Sequence, residues 1–253
     1  MRQYASANAL NKEISEIGYH DDHVLESSKQ KISKYLKGKH FTDTRRRGKY
    51  LILKTPDNWL LLHFGMTGKL KYFQTNGNIP EYSAMVMNFT NGHSLAYISK
   101  RKLGKVTVTQ DVKAFFEEHH IGKDALEADS SEFKALMTKK SGGLKSALMD
   151  QATVSGIGNI YADEILFQEK LHPETKVKSL GDSNLSSLYN TMRRVMKIAI
   201  RHRAKPEDLP KTYLLSVREE GKDCPDCSGK INKITVNGRG TYICPDCQKL
   251  KKS

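Results

Sequence analysis

The four cysteines of this 253-residue chain fall in two identical tetrapeptides, Cys224-Pro-Asp-Cys227 and Cys244-Pro-Asp-Cys247, sixteen residues apart. Two CxxC knuckles at that spacing close a tetrahedral Zn(Cys)₄ site. All four ligand positions are then taken, so the Zn²⁺, one per chain, is structural and not catalytic. A hairpin of ~30 residues holds too little core to fold alone, and metal binding supplies the missing free energy. With no cysteine left for a disulfide, the chain suits a reducing cytoplasm. Between the knuckles, Val236-Asn237-Gly238-Arg239-Gly240-Thr241 reads as a hairpin tip that presents one arginine between two glycines. Glycine backbone lets a duplex come close, and a guanidinium is suited to bidentate phosphate contact.

A second stretch, Leu144 to Pro173, points the same way. Leu144, Ala147 and Leu148 form one apolar helix face, and Ser155-Gly156-Ile157-Gly158 breaks the helix. Asn159 opens another, with Tyr161, Ala162, Ile165 and Leu166 as its core stripe. A glycine-rich turn feeding a helix start exposes unpaired N–H groups at the positive end of the helix dipole, which suits a phosphate. From this stretch alone, an ordinary helical hairpin is an equal reading. Charge favours the phosphate: 42 Lys+Arg against 28 Asp+Glu give +14, an excess that seeks a polyanion. No apolar run is long enough to span a bilayer, so a membrane is the weakest polyanionic partner.

Residues 39–110 read as short strands separated by Gly, Pro, Asn and Asp turns, the pattern of an antiparallel sandwich or barrel. Three loops stand out there. Arg45-Arg46-Arg47-Gly48-Lys49 reads as a basic turn, Gly65-Met66-Thr67-Gly68 sets a methionine at a hairpin tip, and Lys100 to Lys105 is a basic loop carrying Leu103. Met66 at such a tip reads as a flexible apolar wedge for a base stack. Residues 1–18 are predicted as one helix with Tyr4, Ala7, Leu10 and Ile14 on its face. His119 and His120 beside Glu117 and Glu118 point in different directions and read as solvated linker, not metal ligands. The resulting organisation is a sandwich over 1–112, a linker over 113–130, a helical domain over 131–215 and the zinc module over 216–253. The fold class is multidomain α+β. In the last long helix, Leu185, Leu188, Met192, Val195 and Ile198-Ala199 form the buried stripe, while Arg193, Arg194, Lys197, Arg201 and Arg203 read as a solvated basic face.

RRRGKYLIL, LLHFGMTGKL, AYISKRKLGKV, LMDQATVSGIGNIYADEILF and CPDC…GRGTYICPDCQ together resemble the formamidopyrimidine-DNA glycosylase/endonuclease VIII family across nearly the whole chain. The resemblance implies an N-terminal β-sandwich, a helix–two-turn–helix domain and a zinc finger, with DNA between the lobes. It implies excision of oxidised bases and cleavage of abasic sites by β,δ-elimination. By position, Asn159 and Arg239 match the phosphate-gripping pair, and Lys49 a lysine that contacts phosphate and assists the chemistry. Lys145 matches a further backbone contact, and Met66, Arg101 and Leu103 match the side chains filling the hole left by the extruded nucleotide. The implied partner is double-stranded DNA with a damaged base or abasic site, met by a monomer in the cytoplasm and associated with the nucleoid.

Three departures qualify the match. Gly240 stands where many members have a polar residue, and Leu103 replaces a common aromatic. The segment PKTYLLSVREEGKD before Cys224 is shorter than the loop that covers 8-oxoguanine in formamidopyrimidine enzymes, implying a broader or pyrimidine-type lesion range. Family members also begin Met-Pro-Glu, with the proline amine as nucleophile and the glutamate as general acid. Here Met1-Arg2-Gln3 aligns roughly nine residues further in, about a dozen Å from the target at the helical rise per residue. The natural protein is expected to be a glycosylase/lyase with a start upstream of Met1. The polypeptide from Met1 is expected to bind DNA with little base excision, and at most slow lyase chemistry through Lys49. The alternatives are a damaged-DNA-binding relative without glycosylase activity and a zinc-ribbon RNA-binding protein.

Overall fold

The computed structural model describes residues 1–250, in two compact units that divide at His119/His120. Residues 251–253 of the expected zinc module lie outside the described residues.

The first unit starts with α1 (Arg2–Ala9), β1 (Ile14–Tyr19) and α2 (Lys29–Leu36). It continues through β2 (Asp43–Arg47), β3 (Tyr50–Lys54), β4 (Trp59–His63), β5 (Lys69–Gln74), β6 (Ser83–Phe89), β7 (His93–Ile98) and β8 (Lys105–Thr109), and ends in α3 (Val112–Glu118). The strands form two four-stranded antiparallel sheets, β1-β6-β7-β5 and β2-β3-β4-β8. Side-chain alternation explains the pairing. Leu51 and Leu53 lie opposite Leu62 and Leu60, and these four share one buried cluster with Met85, Met87, Leu95 and Tyr97 of the other sheet. One apolar face per sheet, stacked face to face, is the expected sandwich.

Three sequence readings change here. Residues 1–18 are not one helix: Leu10 is extended, Asn11 has φ +57°, and Ile14 begins a strand paired to Phe89. Asn11 ends the helix, and a bulge between Ile14 and Glu16 fits Ile14 and Ile17, which are three apart, into the strand. The buried side of α1 is Ala5 and Ala9, while the exposed Tyr4 hydroxyl accepts the Tyr72 N–H at 2.8 Å. Arg45, Arg46 and Arg47 lie in β2, and the turn is only Gly48-Lys49, with Gly48 at φ +56°. The predicted linker begins as α3, whose Phe115 and Phe116 are buried edge-on to Tyr50. His119 stacks on Phe115 at 4.0 Å.

The second unit holds α4 (Ser130–Thr138), α5 (Leu144–Met149), α6 (Asn159–Gln168), α7 (Asp182–Arg201) and the hairpin β9 (Asn232–Val236)/β10 (Arg239–Ile243). The predicted stripes of α5, α6 and α7 meet in one core with Phe133, Met137, Val154 and Ile157. Truncating a fully buried member such as Leu148 to alanine would cost about 2–5 kcal/mol. Arg193 is not solvated: its guanidinium donates to the Leu126 and Ala128 carbonyls at 2.7 and 3.3 Å. Gln151 pins the turn between α5 and α6. Its Nε2 donates to the Met149 and Ile157 carbonyls, and its Oε1 accepts the N–H of Gly156, which sits at φ +114°. Among the described residues no helix is long and apolar enough to cross a membrane.

Candidate nucleic-acid interface

In the second unit the hairpin tip is a two-residue turn. Asn237 and Gly238 have φ +49° and +72°, and Arg239 lies opposite Val236. Such a turn matches the twist of the flanking strands and projects the first residue of β10 at the tip. Arg239 is exposed. Beside it, Asn159 at the start of α6 donates Nδ2–H to the Gly240 carbonyl at 3.0 Å. That amide carries a second hydrogen, and Gly158 ahead of it offers the helix no side-chain cap. The structure thus brings Asn159 and Arg239 together at a helix N-terminus, an electrostatic setting for an anionic oxygen. A groove of about 300 Å³ alongside is lined by Lys145, Ser146, Met149, Asp150, Asn237 and Arg239.

Lys145 has a different environment from the open phosphate contact that the resemblance implies. Its side chain is 1% exposed, with Nζ 2.7 Å from Asp163 Oδ1 and 2.5 Å from Thr241 Oγ1. No spacing rule joins these three residues, so their meeting was not visible in sequence.

The four cysteine Sγ atoms lie within 4.8 Å of one another, with close pairs at 3.4, 3.5 and 3.8 Å. A zinc bonded at ~2.3 Å to four sulfurs needs tetrahedral edges of about 3.8 Å, so the residues fit the metal. The Asp226 and Gly229 amides point at Cys224 and Cys227 sulfur, which stabilises thiolate charge. Phe167, Leu214 and Ile231 pack with Cys224 and Cys244 and tie the knuckles to α6. Gln248, buried, bonds the Cys244 N–H and the Leu171 carbonyl.

In the first unit, Met66 is 71% exposed and Leu103 50% exposed, on the β4–β5 and β7–β8 loops. The two loops touch: a Cβ on Gly65 would lie 2.6 Å from the Leu103 carbonyl oxygen, so only glycine allows the approach. Tyr97, behind them, donates its hydroxyl to the His63 carbonyl at 2.7 Å and leaves room only for glycine at 104. Arg101 is exposed on the same loop. Lys102 instead pairs with Asp21 at 2.9 Å and holds that carboxyl down to about 2.

Lys49, half-buried at the β2–β3 turn, lies near His63. Burial pushes the His63 imidazole below its ordinary value, and the Lys49 and Lys105 ammonium charges push the same way. Its Nδ1 accepts the Gly65 N–H at 3.2 Å, which ties the end of β4 to the Met66 loop. Lys105 is neutralised by Glu26 at 2.5 Å. The supporting residues His63, Tyr97 and Gln151 carry no sequence signal beyond lying inside the recognisable motifs.

Residues 1–106 match the formamidopyrimidine-DNA glycosylase N-terminal domain. Residues 121–208 match the formamidopyrimidine-DNA glycosylase H2TH domain, and 221–250 the zinc finger found in FPG and IleRS. Formamidopyrimidine-DNA glycosylase of Haemophilus influenzae is 34% identical over 229 residues, covering 85% of this chain and 83% of that protein. That of Listeria innocua is 31% identical over 234 residues, covering 85% and 84%. The solved complex of Lactococcus lactis Fpg with DNA containing an abasic site superposes with a TM-score of 0.89 at 27% identity, covering 98% of this chain and 97% of that one. With three domains matched in order and relatives above 30% identity along most of both lengths, the chain belongs to the formamidopyrimidine-DNA glycosylase family.

Proposed function

We propose that this protein is a base-excision-repair DNA glycosylase and abasic-site lyase acting in the cytoplasm on nucleoid DNA. The observation that carries the reading is the Asn159–Arg239 pair, two phosphate-suited donors held together at a helix start by a zinc hairpin. Family membership and the solved abasic-site complex of a relative support it.

Chemistry at C1′ requires the nucleotide to leave the stack, at a cost of a few kcal/mol. Met66 and Leu103, exposed on touching loops, enter the vacated space and offset part of that cost, and Arg101 contacts the orphaned base. Asn159 and Arg239 grip the backbone at the extruded nucleotide. Lys49 supplies a cation and an amine on the first unit. Attack of a lysine amine on the aldehyde of an opened abasic sugar expels water and forms an imine. Loss of a C2′ proton then expels the 3′-phosphate.

The lesion range is broad or pyrimidine-type. The segment before Cys224 is a fixed strap, with Leu209, Tyr213 and Leu214 buried. Gln168 donates to the Thr212 carbonyl, and Glu164 accepts the Leu215 N–H. A strap so fastened is not a mobile cover for a large purine.

The test is affinity for a duplex with one abasic site against the undamaged duplex. An abasic site removes the unstacking cost, so preference should be roughly tenfold or more. Equal affinities would contradict the reading.

A further inference from the structure

Beneath the Asn159–Arg239 pair lies a buried charge cluster to which the chemistry above gives no part. We propose that Lys145, Asp163 and Arg218 are positioning residues that fix the register of β10 on α6 and so aim Arg239. On this proposal Lys145 acts on DNA through the hairpin and not through a phosphate of its own. It rests on the reading of Arg239 as a phosphate contact.

Asp163 follows Asn159 by one helical turn, so both project from the same face of α6. Asn159 donates to the Gly240 carbonyl, and Asp163 Oδ2 accepts the Tyr242 N–H at 3.3 Å. Gly240 and Tyr242 are two apart on β10 and present these groups on one strand edge. The helix therefore grips the strand at two points, and a slip by one residue breaks both.

Two cations complete the grip. Lys145 Nζ lies 2.7 Å from Asp163 Oδ1 and donates to Thr241 Oγ1, whose own hydrogen goes to the Arg239 carbonyl at 2.9 Å. Donor and acceptor run in one direction along this chain, from the ammonium to the backbone of the arginine it aims. Arg218 reaches Asp163 Oδ2 at 2.6 Å and lays its guanidinium 4.4 Å from the Tyr242 ring centroid. Lys145 and Asp163 are 1% and 0% exposed. Buried ion pairs are poor stabilisers relative to apolar packing, and their attested use is to specify one register. Although Lys145 borders the groove beside Arg239, its ammonium is turned toward Asp163, with which it forms an ion pair, and toward Thr241, to which it donates.

The test is a double-mutant cycle on the zinc-loaded full chain. Binding to a duplex with a tetrahydrofuran abasic analogue is measured over a salt series for wild type, Lys145→Met, Arg239→Ala and the double variant. If Lys145 acts through Arg239, each single change weakens binding about tenfold or more. The double is then no weaker than Arg239→Ala within about twofold, with the same salt slope. Additive losses, with a slope lower by about one more counterion, would mean that Lys145 holds its own phosphate and would overturn the proposal. Wild-type affinity in a folded Lys145→Met would overturn it too, because only stability would then be served. Should Lys145→Met fail to retain zinc, Arg218→Met, altered at the rim of the cluster, takes its place, and additivity with Arg239→Ala is again the contrary result. Unchanged affinity in Arg239→Ala alone would instead remove the phosphate reading itself.

Discussion

A single hydrogen bond, from the Asn159 amide to the Gly240 carbonyl, spans 81 positions of sequence and sets Asn159 beside Arg239, the pair proposed to grip phosphate. Replacing Arg239 by alanine should weaken binding to all duplex sequences about equally and lower the salt slope by about one counterion. An unchanged slope in a binding titration would show that the guanidinium does not meet phosphate. Glu164 carries a second residue-level consequence. Burial raises its carboxyl from 4.5 to about 7, against the Leu215 and Leu214 amides and Gln168, which pull it down. The native state therefore keeps a proton that the unfolded chain releases above pH 4.5. Stability falls as pH rises from about 4.5 to 7 and is level beyond. Relative to Glu164→Gln, wild type should lose on the order of 3 kcal/mol between pH 4.5 and 8, read from urea midpoints. A difference that does not vary with pH would refute this assignment. Cysteine ligands were legible at this scale because their spacing is local. Lys145 was legible only as a cation, because its partners Asp163 and Thr241 are distant in sequence and no periodicity links them.

The zinc hairpin and the loops of Met66 and Leu103 are the elements on which the proposed function rests. Stripping zinc with a chelator should unfold the knuckles at 224–227 and 244–247, release Arg239 from α6 and abolish tight DNA binding. Affinity unaffected by metal removal, with the hairpin still ordered by NMR, would contradict that dependence. Met66→Ala should slow release of a stacked, paired base by about ten- to a hundredfold, and slow cleavage at a ready-made abasic site much less, because only the former requires unstacking. Equal losses on both substrates would argue against a wedge. Strands of the first unit were readable as short apolar runs between turn residues, as Leu51-Ile52-Leu53 and Leu60-Leu61-Leu62 illustrate. Ile14–Tyr19 was misread because helical spacing of Tyr4, Ala7 and Leu10 runs directly into it. The charge density of Arg45–Arg47 resembles a loop, yet each arginine pairs across β3, a tertiary pairing that charge does not reveal.

At the scale of the whole molecule, the excess of 14 positive charges provides a long-range attraction to DNA on which the local contacts act. The two compact units meet at His119/His120, inside the stretch that composition marks as a linker. Phe115 and Phe116 bind the first half of the acidic stretch to the sandwich through Tyr50, a tertiary contact that composition does not reveal. The roles proposed for Lys49, Arg101 and Leu103 come from the family motifs, and that of Met66 also from its place at a hairpin tip. The proposed scission of DNA at abasic sites runs through an amine of the first unit. It is tested most directly by borohydride trapping of the protein from its native source on an abasic-site duplex, with the cross-linked residue identified by mass spectrometry. A covalent adduct through an amine of the first unit, such as that of Lys49, is the expected result. No adduct and no strand scission, with abasic-site binding intact, would contradict it.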